Sequence, residues 1–168
     1  MKKYKGFTLI ELIVVIAIIG VLAAILVPAM MGWVKKSRIT TYNNNASEVC
    51  TQLQIAMTDM EHSGIGFISG ECIIEFDSSN ETDNFTVTYG GTLNNQIETA
   101  LKNANKNLTD MSNSKWVAKI NDSTIIAVIF SSNNYNDVGG FPCQNSKDVN
   151  ITGKSQNDLL ACAEKGWK

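Results

Sequence analysis

The chain has 168 residues, a formal net charge of −2 and a hydrophobic content of 44%. This length suits one folded domain with an extended segment attached to it. Lysines and arginines do not cluster as they do on a nucleic-acid-binding surface, which argues against nucleic-acid binding. A single histidine, His62, and the lack of phosphate-loop and nucleophile-elbow motifs in the sequence argue against an enzyme.

The first predicted element is an apolar helix behind a short basic head. Three lysines within residues 1–6 precede an apolar run from Phe7 to Met31, which contains one acid, Glu11. A carboxylate near the middle of a bilayer costs about 3 kcal/mol even on lenient insertion scales, so an acid in this run indicates a function. Residues 12–31 carry no charge and have about the length that a bilayer span needs.

This segment also fits two ordinary interpretations. A secretory signal peptide could end at Val27-Pro28-Ala29, but the apolar run is long for such a signal and contains an acid. A plain single-span anchor fits the length. The flanking charges do not decide its orientation, because three basic residues precede the run and three follow it (Lys35, Lys36 and Arg38).

Gly6, Phe7 and Glu11, with the aliphatic run behind them, resemble the class III signal of type IV pilins and pseudopilins. The resemblance implies that a membrane prepilin peptidase cuts between Gly6 and Phe7, and that Phe7 is then N-methylated. It also implies that Glu11 meets the N-terminal ammonium of a neighbouring subunit during assembly. In a low dielectric this pairing between subunits gives the lone acid a physical reason.

The second half of the predicted helix is amphipathic and ends near the glycines of residues 63–66. Two positions in the first half, Gly20 and Pro28, match family positions, and Pro28 predicts a kink. The resemblance implies that the stretch between them unwinds in filaments. The apolar stripe of the second half has helical spacing and consists of Ile39, Tyr42, Ala46, Val49, Leu53, Ala56 and Met60.

The rest of the chain predicts a small α+β head. Strands are expected at 72–76 and 85–89, a second helix at 93–105, and a β-hairpin with strands 116–120 and 124–130 around the turn 121–123. From Ser131 onward a long polar loop is expected, with a short helix at 158–164. The resemblance implies a pilin fold, in which the apolar half of the long helix protrudes and the amphipathic half packs on a small antiparallel sheet.

Four cysteines, Cys50, Cys72, Cys143 and Cys162, suggest two disulfides in an exported chain. Four cysteines allow three pairings, and their spacing alone does not choose among them. The resemblance favours a Cys143–Cys162 bond that closes a C-terminal loop, and we predict a Cys50–Cys72 bond beside it. Free thiols buried as small apolar residues are the alternative.

No cofactor is expected. The oxygen-rich loops 77–83 and 133–137 could hold calcium, as the heads of some family members do. Neither loop has the Asp-x-Asp-x-Asp-Gly form, and solvated turns explain the same residues.

The resemblance divides the chain into four parts and predicts a filament subunit. Residues 1–6 are the leader, 7–31 the transmembrane and assembly half of the helix, 32–62 its amphipathic half, and 63–168 the head with a disulfide-closed C-terminal loop. The implied partners are other pilin subunits, the prepilin peptidase and methylase, a membrane assembly platform, and membrane lipid before assembly.

The implied location is the cell membrane, crossed once, and then an extracellular pilus or fimbrium. Its task there, whether adhesion, motility or uptake, is left open by the sequence. A pseudopilin of a type II secretion or competence system is the first alternative. A membrane-anchored surface binding protein that never polymerises is the second.

Overall fold

The computed structural model describes residues 6–78, 84–89, 94–106, 108, 113–132 and 137–141. The described elements are two helices and five strands. In chain order they are α1 Leu9–His62, β1 Glu71–Asp77, β2 Asn84–Tyr89, α2 Asn95–Lys106, β3 Ser114–Asn121, β4 Thr124–Ser132 and β5 Val138–Phe141. The predicted α+β class is confirmed: a long N-terminal helix is followed by a small antiparallel sheet.

The chain forms two compact units, residues 1–37 and residues 38–168. The described part of the first unit is helical from Leu9 onward, and the helix assignment continues through Pro28. Its side chains are exposed throughout. By length and composition, α1 is able to cross a membrane.

The second unit is built around a five-stranded sheet in the order β2-β1-β3-β4-β5, with every neighbouring pair antiparallel. Because alternate strand residues point to opposite faces, the register divides the sheet into two faces. The inner face packs against α1 and α2. Its largest member is Trp116, which stacks on Phe76 with ring centroids 5.8 Å apart.

The amphipathic half of α1 supplies the other side of this inner core. The predicted stripe is buried from Tyr42 to Met60, while Ile39 is half-buried, and Met57 adds a buried residue that the stripe did not include. α2 contributes Ile97 and Leu101. The spacing of three and four residues therefore identified the packed side of α1 correctly.

The β3–β4 hairpin turns through Asp122 and Ser123, which both have positive φ, at 48° and 55°. Two residues with positive φ are typical of a type I′ hairpin turn. The turn is held by the chain between α1 and β1, since the Gly70 N–H donates to Asp122 Oδ1 at 2.7 Å and the Ile68 N–H donates to Ser123 Oγ at 2.9 Å. The predicted hairpin is present, and both of its strands are longer than predicted.

The predicted loop after Ser131 is wrong over residues 138–141, which form β5 and pair with β4. Its sequence, Val-Gly-Gly-Phe, has no strand signal because glycine is depleted in strands. Gly139 is needed where the strand meets α1: a Cβ at this position would overlap the backbone of Tyr42 and Asn43. The Gly140 N–H also donates to Asn43 Oδ1 at 2.9 Å. The predicted helix at 158–164 lies outside the described residues.

We expect Gly139→Ala to lower the free energy of unfolding of the head by about 1–3 kcal/mol or more, because backbone atoms cannot give way as a flexible side chain can. Chemical denaturation followed by tryptophan fluorescence would measure the change. Gly32→Ala is the matched control, since a Cβ at Gly32 meets nothing within 4 Å. Equal stability of the two variants would contradict the close approach of β5 to α1.

Candidate functional site

The start of α1 is a capping box made by Thr8 and Glu11. The Thr8 N–H donates to Glu11 Oε2 at 2.8 Å, and the Thr8 hydroxyl donates to the same oxygen at 2.7 Å. In return, the Glu11 N–H donates to Thr8 Oγ1 at 3.3 Å. A Thr-x-x-Glu sequence places these groups one turn apart, so each satisfies a donor that the helix start leaves unpaired.

Sequence reasoning missed this use of Glu11, although Thr8 and Glu11 have the capping-box spacing. The role in assembly expected for Glu11 does not depend on the cap. Both accepted hydrogen bonds end on Oε2, and the described residues place no donor on Oε1. The carboxylate therefore has an oxygen that can accept a bond from a second molecule.

The surroundings of Glu11 are apolar and open. Large apolar side chains line all sides of the helix around it, and Phe7, which precedes the cap, is 89% exposed. A helix that is apolar all round is one that is buried, in a membrane or among other helices. The Glu11 carboxylate is thus a single anionic group on an apolar surface whose exposure to water is unfavourable.

The other predicted assembly positions lie further along α1. Gly20 is open, since a Cβ there would meet nothing within 4 Å. Pro28 lies inside the helix and cannot donate a backbone hydrogen bond to the preceding turn. The structure describes a single chain, so the expected unwinding between Gly20 and Pro28 in filaments stays a prediction.

Cys50 and Cys72 are free thiols in the structure, so the predicted Cys50–Cys72 bond is not formed in it. Cys72, on β1, is fully buried in the inner core, and Cys50, on α1, is half-buried against that core. Burial raises the pKa of both thiols, that of Cys72 to about 11. In the structure the two side chains pack as small apolar residues, as free thiols do. Cys143 and Cys162 lie outside the described residues.

The candidate calcium loops fall mainly on residues that the structure does not describe. Of their described members, Asp77 forms an ion pair with Lys115 at 3.1 Å, and Asp137 forms one with Arg38 at 3.5 Å. Within the described ranges, no three His, Cys, Asp or Glu side chains are grouped so that they could hold a metal ion.

Comparison with known proteins places the strongest similarity at the N-terminus. Residues 1–27 match the family described as the prokaryotic N-terminal methylation motif. The type IV major fimbrial protein FimA of Dichelobacter nodosus is 37% identical over 79 residues, 47% of each chain. The motif and the named relatives support the resemblance to type IV pilins that the sequence predicts.

Two further relatives are type IV pilins by name. The type IV major alpha-pilin of Moraxella bovis is 46% identical over 57 residues, which cover 34% of this chain and 36% of that protein. The type IV wide pilus major component PilA4 of Thermus thermophilus is 45% identical over 58 residues, which cover 33% and 44%. No solved structure gives a significant match.

The matches to these pilins span less than half of their length. The methylation motif includes Gly6, Phe7, Glu11 and Gly20 and ends one residue before Pro28. The type IV pilin family is structural and not catalytic.

The cap predicts a specific effect of replacing Thr8. We expect Thr8→Val to remove two hydrogen bonds to Glu11 and to cost about 1 kcal/mol at the helix start, which is about a fivefold rise in amide exchange of the first turn. Hydrogen exchange followed by mass spectrometry in detergent micelles would measure it. Thr8→Ser keeps the hydroxyl and is expected to behave as the wild type; exchange that rises equally in both variants would contradict the cap.

The buried thiols predict selective labelling. At pH 8 the thiolate fraction of Cys72 should be about a hundredfold below that of a thiol with the usual pKa, so a maleimide should modify Cys50 faster than Cys72 in the folded chain. Because the thiolate is the reactive form, labelling of Cys72 should increase as the pH rises toward 11. Peptide mapping after timed labelling would measure both rates. Equal rates in the folded chain, or a Cys50–Cys72 peptide in a non-reduced digest, would contradict this description.

Proposed function

We propose that this chain is the structural subunit of a type IV pilus, released from its leader between Gly6 and Phe7 and polymerised through α1. The observation that carries the proposal is Glu11, which is one carboxylate in the exposed, apolar first half of α1, with an oxygen to which the described residues bring no donor. The methylation motif at residues 1–27 and relatives named as fimbrial and pilus proteins support it.

The first half of α1 supports polymerisation through its exposure. From Phe7 to Val34, large apolar side chains are about half exposed or more in the isolated chain. Covering such a surface is favourable by about 25 cal/mol per Å² of apolar area. Lipid covers it before assembly in this proposal, and the equivalent helices of other subunits cover it in the filament.

Glu11 then determines how the α1 helices of neighbouring subunits align. Cleavage after Gly6 creates an ammonium on Phe7, and in an apolar environment this cation requires an anion close by. The carboxylate of Glu11 in a neighbouring subunit supplies that anion. The two hydrogen bonds from Thr8 to Oε2 fix the Glu11 side chain, and Oε1 accepts a hydrogen bond from the ammonium of the neighbour.

The head of the proposed subunit comes from the second compact unit. Its sheet and the amphipathic half of α1 share one core, so they move as one body. In this scheme, heads cover the outside of the filament while the N-terminal half-helices form its centre. Partners of the single subunit are the peptidase and methylase that act on residues 6 and 7, and the membrane assembly platform.

The test of this proposal uses Glu11→Gln in the natural host. The amide cannot neutralise an ammonium, so we expect filaments to be lost by electron microscopy while the protein remains in the membrane and is cleaved. Glu61→Gln is the matched control, because Glu61 is an exposed acid at the other end of the same helix. Filaments at wild-type level in Glu11→Gln would overturn the proposed role.

Mass spectrometry of the mature chain tests processing in the same strains. An N-terminus at methylated Phe7 is expected in the wild type and in both variants. A chain that begins at any other residue would contradict the cleavage site. An unprocessed, detergent-soluble monomer would instead favour an anchored surface protein, and short assemblies without surface filaments would favour a pseudopilin.

A further inference from the structure

The two edges of the head sheet differ in how they are protected. β5, at one edge, has four residues and lies against α1. Gly139 leaves no room for a Cβ beside the α1 backbone, and the Gly140 N–H donates to Asn43 Oδ1 at 2.9 Å. β2, at the other edge, has six residues and pairs with β1 alone among the described elements. Such an edge matters because its unpaired backbone groups are a template for another strand.

β2 has a row of backbone groups without partners. Its antiparallel register with β1 is continuous from Asn84 to Tyr89. In such a ladder every second residue directs its N–H and C=O away from the paired strand. Within the described ranges, no backbone group of β2 bonds to a partner outside β1. The outer edge of β2 is therefore free to accept a strand.

The inward side chains of β2 also indicate an open edge. Ile74 of β1 is fully buried, whereas Val87, its direct partner on β2, is half-buried. Phe85 and Tyr89 pack against the same core and are half-buried too. The part of these side chains that stays exposed is apolar surface that one more strand would cover, which is favourable.

The sequence of β2 lacks the features that usually prevent strand addition. Its six residues, Asn-Phe-Thr-Val-Thr-Tyr, include no charge and no proline, and its register has no bulge. The outward residues Thr86 and Thr88 are exposed and uncharged. A strand that adds here must therefore present apolar residues on the inner face and small uncharged residues on the outer face. β2 itself has this pattern.

We infer that β2 pairs antiparallel with β2 of a second copy, around a two-fold axis at Val87. In this register Phe85 lies opposite Tyr89 of the second copy and Thr86 lies opposite its Thr88. Apolar residues meet on the inner face and threonines on the outer face, and cross-strand pairs of these kinds stabilise an antiparallel ladder.

Charge does not oppose this pairing. The acid closest to the ladder on the outer face is Glu75 of β1, which lies opposite Thr86. Three strand spacings separate Glu75 from its equivalent in the second copy, which is a distance of at least about 14 Å. Repulsion over this distance is largely screened, because the screening length at physiological ionic strength is about 8 Å.

The pairing uses the head alone and goes beyond the proposed polymerisation through α1. A two-fold axis perpendicular to the sheet reverses the direction of the strands and of the α1 half that packs on them. In the proposed filament all α1 helices run in the same direction, so the paired copies are not neighbours in one filament. Two strands of this length bury a small area, so we expect the pairing to be weak and dependent on concentration.

Photo-crosslinking in the full chain tests this inference. p-Benzoylphenylalanine replaces Thr88 on β2, or Thr124, an exposed residue at the start of β4 that serves as the matched control. Half of the detergent-solubilised chain carries heavy nitrogen, so mass spectrometry distinguishes links between two copies from links within one. We expect position 88 to link to the β2 peptide of a second copy and position 124 to give no such link.

A lack of links between copies from position 88, or links from it to any other part of a second copy, would overturn the inference. The same β2 link from position 124 would also overturn it, because the contact would then not depend on the edge.

Amide hydrogen exchange of the unmodified chain provides a second measurement. Exchange in the β2 peptide should slow as the concentration of the chain rises, while exchange in Thr124–Ser132 should stay unchanged. Exchange in β2 that does not depend on concentration would contradict the pairing. Both experiments are repeated with Glu11→Gln, which does not polymerise under the proposed function. The same result is expected there, so a failure of strand pairing is distinguished from a failure of polymerisation.

Discussion

The head depends on the contact between the amphipathic half of α1 and the inner face of the sheet. Leu53 and Met60 of the helix meet Ile74 and Trp116 of the strands in one apolar cluster that is closed to water. A single helix or an isolated sheet of this size would leave its apolar side open, so neither element is stable without the other. At β5 the contact is so close that only a glycine, Gly139, fits beside the backbone of Tyr42 and Asn43.

The same helix serves two different environments along its length. From Tyr42 to Met60, its apolar residues recur every three or four positions and pack inside the head. From Phe7 to Val34, apolar residues occupy every side and have no cover in a single chain. The residues of the first pattern are buried by the chain's own head, whereas those of the second need lipid or other helices to cover them.

In the proposed filament, Glu11 connects one chain to the next because its hydrogen bonds within the helix use only part of its capacity. A carboxylate can accept about four hydrogen bonds, and Thr8 supplies two of them on one oxygen. The cap therefore holds the side chain in place without neutralising its charge. In an apolar environment an uncompensated charge is costly, so the acid favours any arrangement that brings a cation to it. The proposed ammonium of a processed neighbour meets this need.

The sequence by itself determined the periodic features of the protein. The apolar run, the stripe on α1, the strands β1 and β2 and the β3–β4 hairpin all follow from spacing and local propensity, which act between residues close in the chain. The methylation motif likewise lies within a short stretch. The Thr8–Glu11 cap could also have been found, since its spacing is local.

Only the tertiary structure decided the features that depend on distant residues. β5 has no strand signal, and it exists because β4 offers it an edge and α1 leaves room for Gly139. The structure places the free thiol of Cys72 inside the core and that of Cys50 against it, and the spacing of the cysteines in the sequence does not state either position. Ile129 and Val138 are buried but do not belong to the inner core, and the strand register places both on the face of the sheet that points away from α1. Burial on both faces is a property of three-dimensional packing, and a strand sequence alone does not state what lies on each side.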